Sequence, residues 1–229
     1  MRVLLLDGYN LMHRAKFGFT KGPNNVVFNF FRSVRPLIEK FNPDKVYFVL
    51  EGHPKFRYDL YSDYKANRNK GHTPKEQLAY QHFKQQKEVI LELIKSFPFT
   101  TLKHDEYEGD DLIANLIKYN HYEDECIVVS NDTDFIQIDQ WGANASVYSP
   151  VKKEYLVPTE YDYVAWKALV GDTADNIKGV PGVGKKSAPN ILKEGIDGWL
   201  LKNPKKAGIF ARCVKLITFA DMQDEMGNL

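Results

Sequence analysis

The residues of this sequence best suited to chemistry are acidic, and they recur at definite points of the chain. Four of them lie just after the ends of short apolar runs: Asp7, Glu51, Asp132 and Asp134. Five more form two groups, each of which contains a pair three residues apart: Glu108, Asp110 and Asp111, and Asp172 and Asp175. Taken singly, each could be a helix cap or a surface charge. Carboxylates that converge shift one another's pKa strongly unless cations compensate them, so the whole set predicts a metal site.

The type of metal follows from the ligand atoms. Oxygen ligands alone favour hard cations such as Mg²⁺ or Mn²⁺, whereas Zn²⁺ needs closely spaced His or Cys. The six histidines are scattered, and the two cysteines, Cys126 and Cys213, lie far apart. Neither a zinc site nor a disulfide framework is predicted. Because no apolar stretch approaches membrane-spanning length either, we expect a soluble, cytoplasmic protein.

The formal net charge of +1 conceals an uneven distribution of charge. Residues 53–104 contain ten Lys or Arg against five Asp or Glu, residues 105–134 contain one against ten, and residues 176–216 contain nine against two. An acidic centre between basic flanks suits a protein that binds cations centrally and phosphates on either side, because Lys and Arg neutralise phosphates. Solvated helix faces are the alternative explanation.

The apolar runs at 3–6, 46–50 and 126–129 lack the alternation of a half-exposed strand, so they predict strands buried on both faces. Helical patterns at 26–41 and 73–95 separate them, and a β-hairpin at 144–157 is predicted at the sheet edge. This order predicts an α/β fold with a mostly parallel central sheet and helices on both faces. The carboxyl ends of such strands line one crevice, where the acids after them would meet.

The second half is predicted to be helical and to bind phosphate. Thr159 and Asp162 resemble a capping box before a helix that Gly171 ends. Short helices at 172–177 and 185–193 would flank the sequence GVPGVG. The motif nearly matches a P-loop, but Lys186 replaces the hydroxyl residue and no strand precedes it. A helix-hairpin-helix that binds DNA phosphates through backbone amides is favoured over a glycine-rich connector, with Lys178, Lys185 and Lys186 adding charge.

Five segments in order resemble the flap endonuclease and 5′-3′ exonuclease family, which includes bacteriophage 5′ nucleases and the 5′-nuclease domain of bacterial DNA polymerase I. They are LDGYN at 6–10, the stretch 57–68 that ends in YKANR, EYEGDD at 106–111, SNDTD at 130–134 and GDTADNIKGVPGVG at 171–184. The resemblance covers nearly the whole chain. It implies a nuclease core at 1–157 with a basic helical arch at about 52–88, and a helix-hairpin-helix region at 158–229.

The resemblance also implies roles for individual residues. Two Mg²⁺ ions, for which Mn²⁺ can substitute, would be held directly or through waters by Asp7, Glu108, Asp110, Asp111, Asp132, Asp134, Asp172 and Asp175. Glu51 stands where the family usually has Asp. Lys65 and Arg68 resemble the catalytic basic pair, with Tyr64 as a base-stacking neighbour. Lys167 would contact the substrate backbone. The hairpin, including Gly182 and Gly184, would bind duplex DNA and carry K⁺ on its carbonyls.

The function implied is two-metal hydrolysis of phosphodiesters, in which one metal activates water and the other stabilises the leaving 3′ oxygen. Expected substrates are DNA with a free 5′ end, a flap, a nick or an RNA-primed junction, and the protein would act as a monomer without a membrane. A PIN-like ribonuclease would share the acidic crevice but has no need of the GVPGVG hairpin. A non-catalytic structure-specific DNA-binding protein would keep the hairpin but could lose the acids.

Overall fold

In the computed structural model of the chain, residues 1–18, 22–69 and 73–227 are described. They form two compact units. The first comprises Met1–His53, His72–Leu156 and Asp221–Leu229, and the second comprises Pro54–Gly71 and Val157–Ala220. This division departs from the predicted ranges of 1–157 and 158–229, because the segment after His53 folds with the second unit. The part of the predicted arch at 70–72 lies outside the described residues.

The first unit is built on a six-stranded sheet. Its strands are β1 (Arg2–Asp7), β2 (Lys45–Leu50), β3 (Thr100–Lys103), β4 (Glu125–Val129), β5 (Ala145–Ser149) and β6 (Glu154–Tyr155). The strand order is β3-β2-β1-β4-β5-β6, with every pair parallel except β5 and β6. The direction of strand addition reverses between β1 and β4. The carboxyl ends of two strands on either side of such a reversal form the usual binding crevice of an open α/β sheet.

The described parts of the chain also form ten α-helices. They are α1 (Gly8–Ala15), α2 (Asn25–Phe41), α3 (Lys55–Leu60), α4 (Pro74–Ile94), α5 (Gly109–Asn115), α6 (Tyr163–Val170), α7 (Ala188–Glu194), α8 (Ile196–Lys202), α9 (Pro204–Ile217) and α10 (Gln223–Met226). A π-helical turn at Leu116–Asn120 extends α5, and 3₁₀ segments lie at Ala66–Asn69 and Thr133–Trp141. Within residues 1–18, 22–69 and 73–227, no helix has the length and apolar character needed to span a membrane.

Both faces of the sheet are covered in the first unit. Leu4 and Leu6 belong to a core cluster with residues of α1, α2 and α4. Val3 and Leu5 point to the opposite face, because successive strand side chains alternate, and they too are fully buried. The helix α5 packs against β1 and β2. The predicted α/β class, with a mostly parallel sheet between helices, is therefore confirmed.

The two long predicted helices and the edge hairpin are confirmed, and the structure explains how one of the helices begins. No side chain of α2 caps its own N-terminus. Instead, Gln86 of α4 accepts hydrogen bonds from the backbone N–H groups of Val26 (2.8 Å) and Val27 (3.3 Å). A side chain from a neighbouring helix thus satisfies donors that a helix N-terminus leaves unpaired.

The second unit is helical and has cores of its own. Ala168 of α6 packs with Leu216 and Ile217 of α9 and with Tyr64, while Leu169 packs with Val180 and α7. Arg57 of α3 is 2% exposed. Its guanidinium donates to the carbonyl oxygens of Leu216 (3.0 Å) and Thr218 (3.3 Å), which joins the segment after His53 to the end of α9.

Three details of the predicted elements are wrong. Residues 172–177 are not a helix, because Asp172 and Ile177 exchange two backbone hydrogen bonds of 2.7 Å that close a turn. The helix after GVPGVG begins at Ala188 and not at 185. The N-cap of α6 is Asp162, which accepts from the Ala165 N–H, and Thr159 donates to the Tyr161 carbonyl instead. The edge strand β3 was not predicted, since its four residues are mostly exposed and polar.

Candidate active site

The first acidic group forms where β1 and β4 end side by side. Leu6 pairs with Val129 in the sheet register, so Asp7 and Ser130 come next to each other. The Ser130 hydroxyl donates to Asp7 Oδ2 at 2.7 Å, and Asp7 Oδ1 accepts from the Asn10 N–H at 3.0 Å as the N-cap of α1. Asp7 is thus held in one orientation from both sides.

The loop after β4 orders the acids that follow Ser130. The Asp132 N–H donates to Ser130 Oγ at 3.1 Å, and the Asp134 N–H donates to Asp132 Oδ1 at 2.9 Å. Asn131 donates from its amide to Asn10 Oδ1 at 2.9 Å. The structure therefore connects Asp7, Asp132 and Asp134 through Ser130.

The second acidic group lies at the N-terminus of α5. Glu108, Asp110 and Asp111 each offer a carboxylate oxygen, and these three oxygens lie within 4.8 Å of one another. Glu108 is 4% exposed and Asp111 is fully buried. Glu108 and Asp111 form a reciprocal capping box, with the Glu108 N–H donating to Asp111 Oδ2 at 3.2 Å. Glu51, at the end of β2, accepts a weak hydrogen bond of 3.4 Å from the Gly109 N–H.

This donor set fits a divalent cation. It consists of oxygen atoms alone, two of its three carboxylates are buried, and buried like charges at this spacing repel one another unless a cation offsets them. Burial of the side chain is the main cause that raises the pKa of Tyr107. The negative charge of the nearby Glu225 carboxylate is the next, and Asp111 contributes in the same direction. The neighbouring phenol therefore stays protonated in these strongly negative surroundings.

The second unit contains the other two predicted acids, and both contact cationic side chains there. Lys167 Nζ lies 2.6 Å from Asp172 Oδ2. Burial alone would raise the pKa of Asp172, but the hydrogen bond and charge of Lys167, with backbone N–H donors, lower it overall. Arg68 lies 2.7 Å from Asp175 Oδ1, and Lys65 Nζ lies 3.7 Å from Asp175 Oδ2. The predicted catalytic pair thus shares one carboxylate.

Comparisons with known proteins identify the relatives of this chain. A family model described as "5′-3′ exonuclease, N-terminal resolvase-like domain" matches residues 2–164. A 5′-3′ exonuclease of Aquifex aeolicus is 33% identical over 223 residues, which cover 88% of this chain and 73% of that protein. The chain belongs to the 5′-3′ exonuclease family.

Two further matches are a longer protein, a DNA polymerase, and a solved structure of a flap endonuclease. The thermostable DNA polymerase I of Thermus caldophilus is 33% identical over 223 residues, but this chain spans only 25% of its length. A solved complex of bacteriophage T5 flap endonuclease with DNA and metal ions has a TM-score of 0.80 at 22% identity, covering 95% of this chain and 89% of that one. At that identity the match establishes a shared fold.

In this family member, two residues predicted to contact DNA are buried. Tyr64 is 2% exposed, and its hydroxyl donates to Asp175 Oδ2 at 3.1 Å. Its ring packs in the second unit's core, so the open ring face that base stacking requires is absent in this conformation. Lys167 is 8% exposed and paired with Asp172, so it does not present a cation to solvent here.

The glycine-rich loop of the family member is tightly built at one end and open at the other. Gly171 and Gly179 have φ angles of +89° and +68°, and a Cβ on either would lie 2.5 Å from backbone atoms. No side chain fits where the backbone segments around Gly171 and Gly179 approach each other. By contrast, Gly182 and Gly184 are exposed, as are the three predicted lysines, Lys178, Lys185 and Lys186. The open part of the loop therefore offers backbone groups and cations to solvent.

Sequence reasoning gave no role to the neutral groups that orient the acids, Ser130, Asn10 and Asn131. A signal for Ser130 existed, since it follows β4 as Asp7 follows β1 and adjacent parallel strands place such residues together. Nothing in the sequence indicated that Asp175 would contact Lys65 and Arg68.

Proposed function

We propose that this chain is a divalent-metal-dependent 5′ nuclease that hydrolyses phosphodiesters of DNA. The observation that carries the proposal is the all-oxygen cluster of Glu108, Asp110 and Asp111, whose ligand atoms lie within 4.8 Å of one another in a member of the 5′-3′ exonuclease family. Solved relatives of the same fold contain divalent metal ions, and one contains DNA as well.

We assign two Mg²⁺ ions to the acids, with Mn²⁺ able to substitute. Glu108, Asp110 and Asp111 would hold metal at α5. Asp7, Asp132 and Asp134 would hold metal at the ends of β1 and β4. Glu51, whose side chain is longer than the family's usual Asp, would act indirectly, through its hydrogen bond from the Gly109 N–H. When bound, such ions lower the pKa of an attacking water and stabilise the leaving 3′ oxygen. Asp172 and Asp175 remain proposed ligands, and their contacts with Lys167, Lys65 and Arg68 would compete with metal binding.

The basic residues Lys65 and Arg68 would have a role separate from metal binding. Lys65 and Arg68 cannot act as general bases while they are charged, so they would stabilise the negative charge that develops on the scissile phosphate. Their shared partner Asp175 keeps them together before substrate binds. The reaction would leave a 5′-phosphate and a 3′-hydroxyl.

The proposed substrates are DNA strands with a free 5′ end, at flaps, nicks or RNA-primed junctions. Support comes from the family and from the exposed lysines Lys178, Lys185 and Lys186 beside Gly182 and Gly184, which suit duplex phosphates. We further propose K⁺ on carbonyl oxygens of this loop, and a monomeric, cytoplasmic protein that needs no membrane.

A 5′-labelled flap substrate tests the proposal. We expect cleavage with Mg²⁺ and none with EDTA. Asp132→Asn and Asp134→Asn should each lower the rate by orders of magnitude, while binding in Ca²⁺ largely survives, because each removes a ligand charge from the catalytic geometry. Asp139→Asn, an exposed acid on the same 3₁₀ segment, is the matched control. Near-normal cleavage by both variants would exclude the metal assignment.

The same assay separates the alternatives. Cleavage of RNA but not of DNA would identify a PIN-like ribonuclease. Tight binding of the flap without cleavage in Mg²⁺ or Mn²⁺ would identify a non-catalytic DNA-binding protein.

A further inference from the structure

A basic groove lies in the first unit beside the sheet edge. It is bounded by the end of α1, one side of α2 and the β5–β6 hairpin, and it has a volume of about 810 Å³. Four cationic residues line it: Arg14, Arg32, Lys40 and Lys153. Among the described residues, its lining includes no Asp or Glu. None of the acids or bases assigned to the proposed active site lines it either.

The four cations lack the carboxylate partners that six other described cations of this unit have. Within the described parts of the chain, none of the four lies in a salt bridge. Arg14 is partly buried, and this burial lowers the pKa of its guanidinium. A cation that has lost water contacts without gaining a counter-charge carries a desolvation cost, which an anionic ligand would offset.

The groove also offers apolar surface to a ligand. Phe17 is 84% exposed and Val151 is 58% exposed, and both line it with Pro150. The ring of Tyr148 forms part of the floor, where Lys40 Nζ lies 3.8 Å from its centroid. Cations that track a backbone, combined with an exposed aromatic ring, are the features of single-stranded nucleic-acid sites.

We propose that this groove binds a single-stranded segment of nucleic acid, with phosphates on the four cations and a base stacked on Phe17. The β5–β6 turn that borders it is attached to the acidic loop, because the Val151 N–H donates to Asn131 Oδ1 at 3.2 Å. A strand held there lies next to the loop that presents Asp132. An acidic peptide would satisfy the cations but would gain nothing specific from the exposed ring, so the nucleic acid is favoured.

A salt titration with a labelled ten-nucleotide oligothymidylate in Ca²⁺ tests the charge contribution. Lys40 and Lys153 are exposed, so the double variant Lys40→Gln/Lys153→Gln should fold normally. We expect its plot of log affinity against log salt to flatten by about 1.4, since each single-strand phosphate contact contributes roughly 0.7. The matched control Lys95→Gln/Lys118→Gln removes equal charge from cations paired with Glu92 and Asp221 and should change the slope much less. Equal slopes for both double variants would overturn the proposal.

Photo-cross-linking locates the strand. An oligothymidylate carrying 5-bromodeoxyuridine should cross-link to the peptide that contains Phe17, and Phe17→Ala should remove this adduct. Adducts confined to other peptides would overturn the assignment. If a glutamate peptide of equal charge competed as strongly as unlabelled oligothymidylate, the groove would be a general anion surface and not a nucleic-acid site. Because both readouts measure binding, they do not depend on whether the chain hydrolyses DNA.

Discussion

Asp175 is contacted by three side chains from one short segment of the second unit. Arg68 and Lys65 approach its carboxylate with their charges, and the Tyr64 hydroxyl donates to it. The Lys65 N–H also donates to the Asp175 carbonyl at 3.0 Å, which holds Lys65 at an unusual φ of +55°. A residue in this region of φ persists only where its surroundings impose it. Asp175 therefore positions the proposed basic pair, whatever its part in metal binding.

The first prediction at the residue scale concerns Lys65. If Lys65 acts mainly in the transition state, Lys65→Ala should lower the single-turnover rate at saturating DNA by more than it weakens DNA affinity. Single-turnover cleavage and binding in Ca²⁺, measured on the same flap, check this. Lys55→Ala is the control, since Lys55 is exposed and pairs with Asp59 of its own helix. A defect that more protein fully rescues would contradict a transition-state role.

A substitution at Tyr64 distinguishes a base-stacking role of its ring from a role of its hydroxyl in positioning Asp175. Tyr64→Phe keeps the ring and removes only the hydroxyl that donates to Asp175. We expect a stability loss of about 1 kcal/mol, the usual net value of a hydrogen bond, and a reduced cleavage rate because the carboxylate is less well oriented. Urea unfolding and single-turnover kinetics measure the two effects. Wild-type behaviour in both would instead agree with a role for the ring alone.

At the scale of elements, three of the proposed metal ligands are also the N-cap residues of helical segments. Asp7 caps α1, Glu108 caps α5 and Asp132 caps the 3₁₀ segment after β4. Asp and Asn are about equally good N-caps. Replacing Asp132 by Asn therefore removes charge while keeping the N-cap of the 3₁₀ segment, so Asp132→Asn tests metal binding without testing folding.

The prediction at this scale concerns duplex binding by the two lysines that follow the glycine-rich loop before α7. Lys185→Ala/Lys186→Ala should weaken binding to all duplex sequences alike and flatten the salt plot by roughly one to two units, about 0.9 per lost phosphate contact. Cleavage of a short single strand should change much less. Lys193→Ala/Lys202→Ala, from α7 and α8, provides a control of equal charge. An unchanged slope with loss of single-strand cleavage would place Lys185 and Lys186 at the active site.

At the scale of the whole molecule, the second unit is assembled from two stretches of chain that are far apart in sequence. Arg57 joins them, since its buried guanidinium donates to two carbonyls at the end of α9. Asn67 and Asn176 add hydrogen bonds of 2.7 Å to the Thr173 and Asp63 carbonyls. The segment that carries Tyr64, Lys65 and Arg68 is thus held within the helical unit.

This arrangement predicts a large effect of Arg57→Met. The substitution removes the donor to the buried Leu216 carbonyl, and a buried group left without a partner costs roughly 1–3 kcal/mol. We expect a lower urea midpoint and faster proteolysis between residues 54 and 69, detected by mass spectrometry. Lys55→Met, on the exposed side of the same helix, should leave both unchanged. Unaltered proteolysis in Arg57→Met would show that other contacts hold the segment.

The sequence by itself determined the parts of this protein that depend on local pattern. Buried strands, the helices α2 and α4 and the edge hairpin were predictable, because burial and helix periodicity are written in consecutive residues. The acids at strand ends were predictable for the same reason, since a parallel sheet places the ends of its strands together.

Only the tertiary structure decided the contacts between segments distant in sequence. The pairing of Asp175 with Lys65 and Arg68, the capping of α2 by Gln86, and the burial of Tyr64 depend on which elements pack together. The turn at 172–177 was mistaken for a helix because its polar residues are compatible with both, and the backbone bonds between Asp172 and Ile177 decide the outcome. Local propensity is a weak preference, and the free energy of tertiary contacts overrides it.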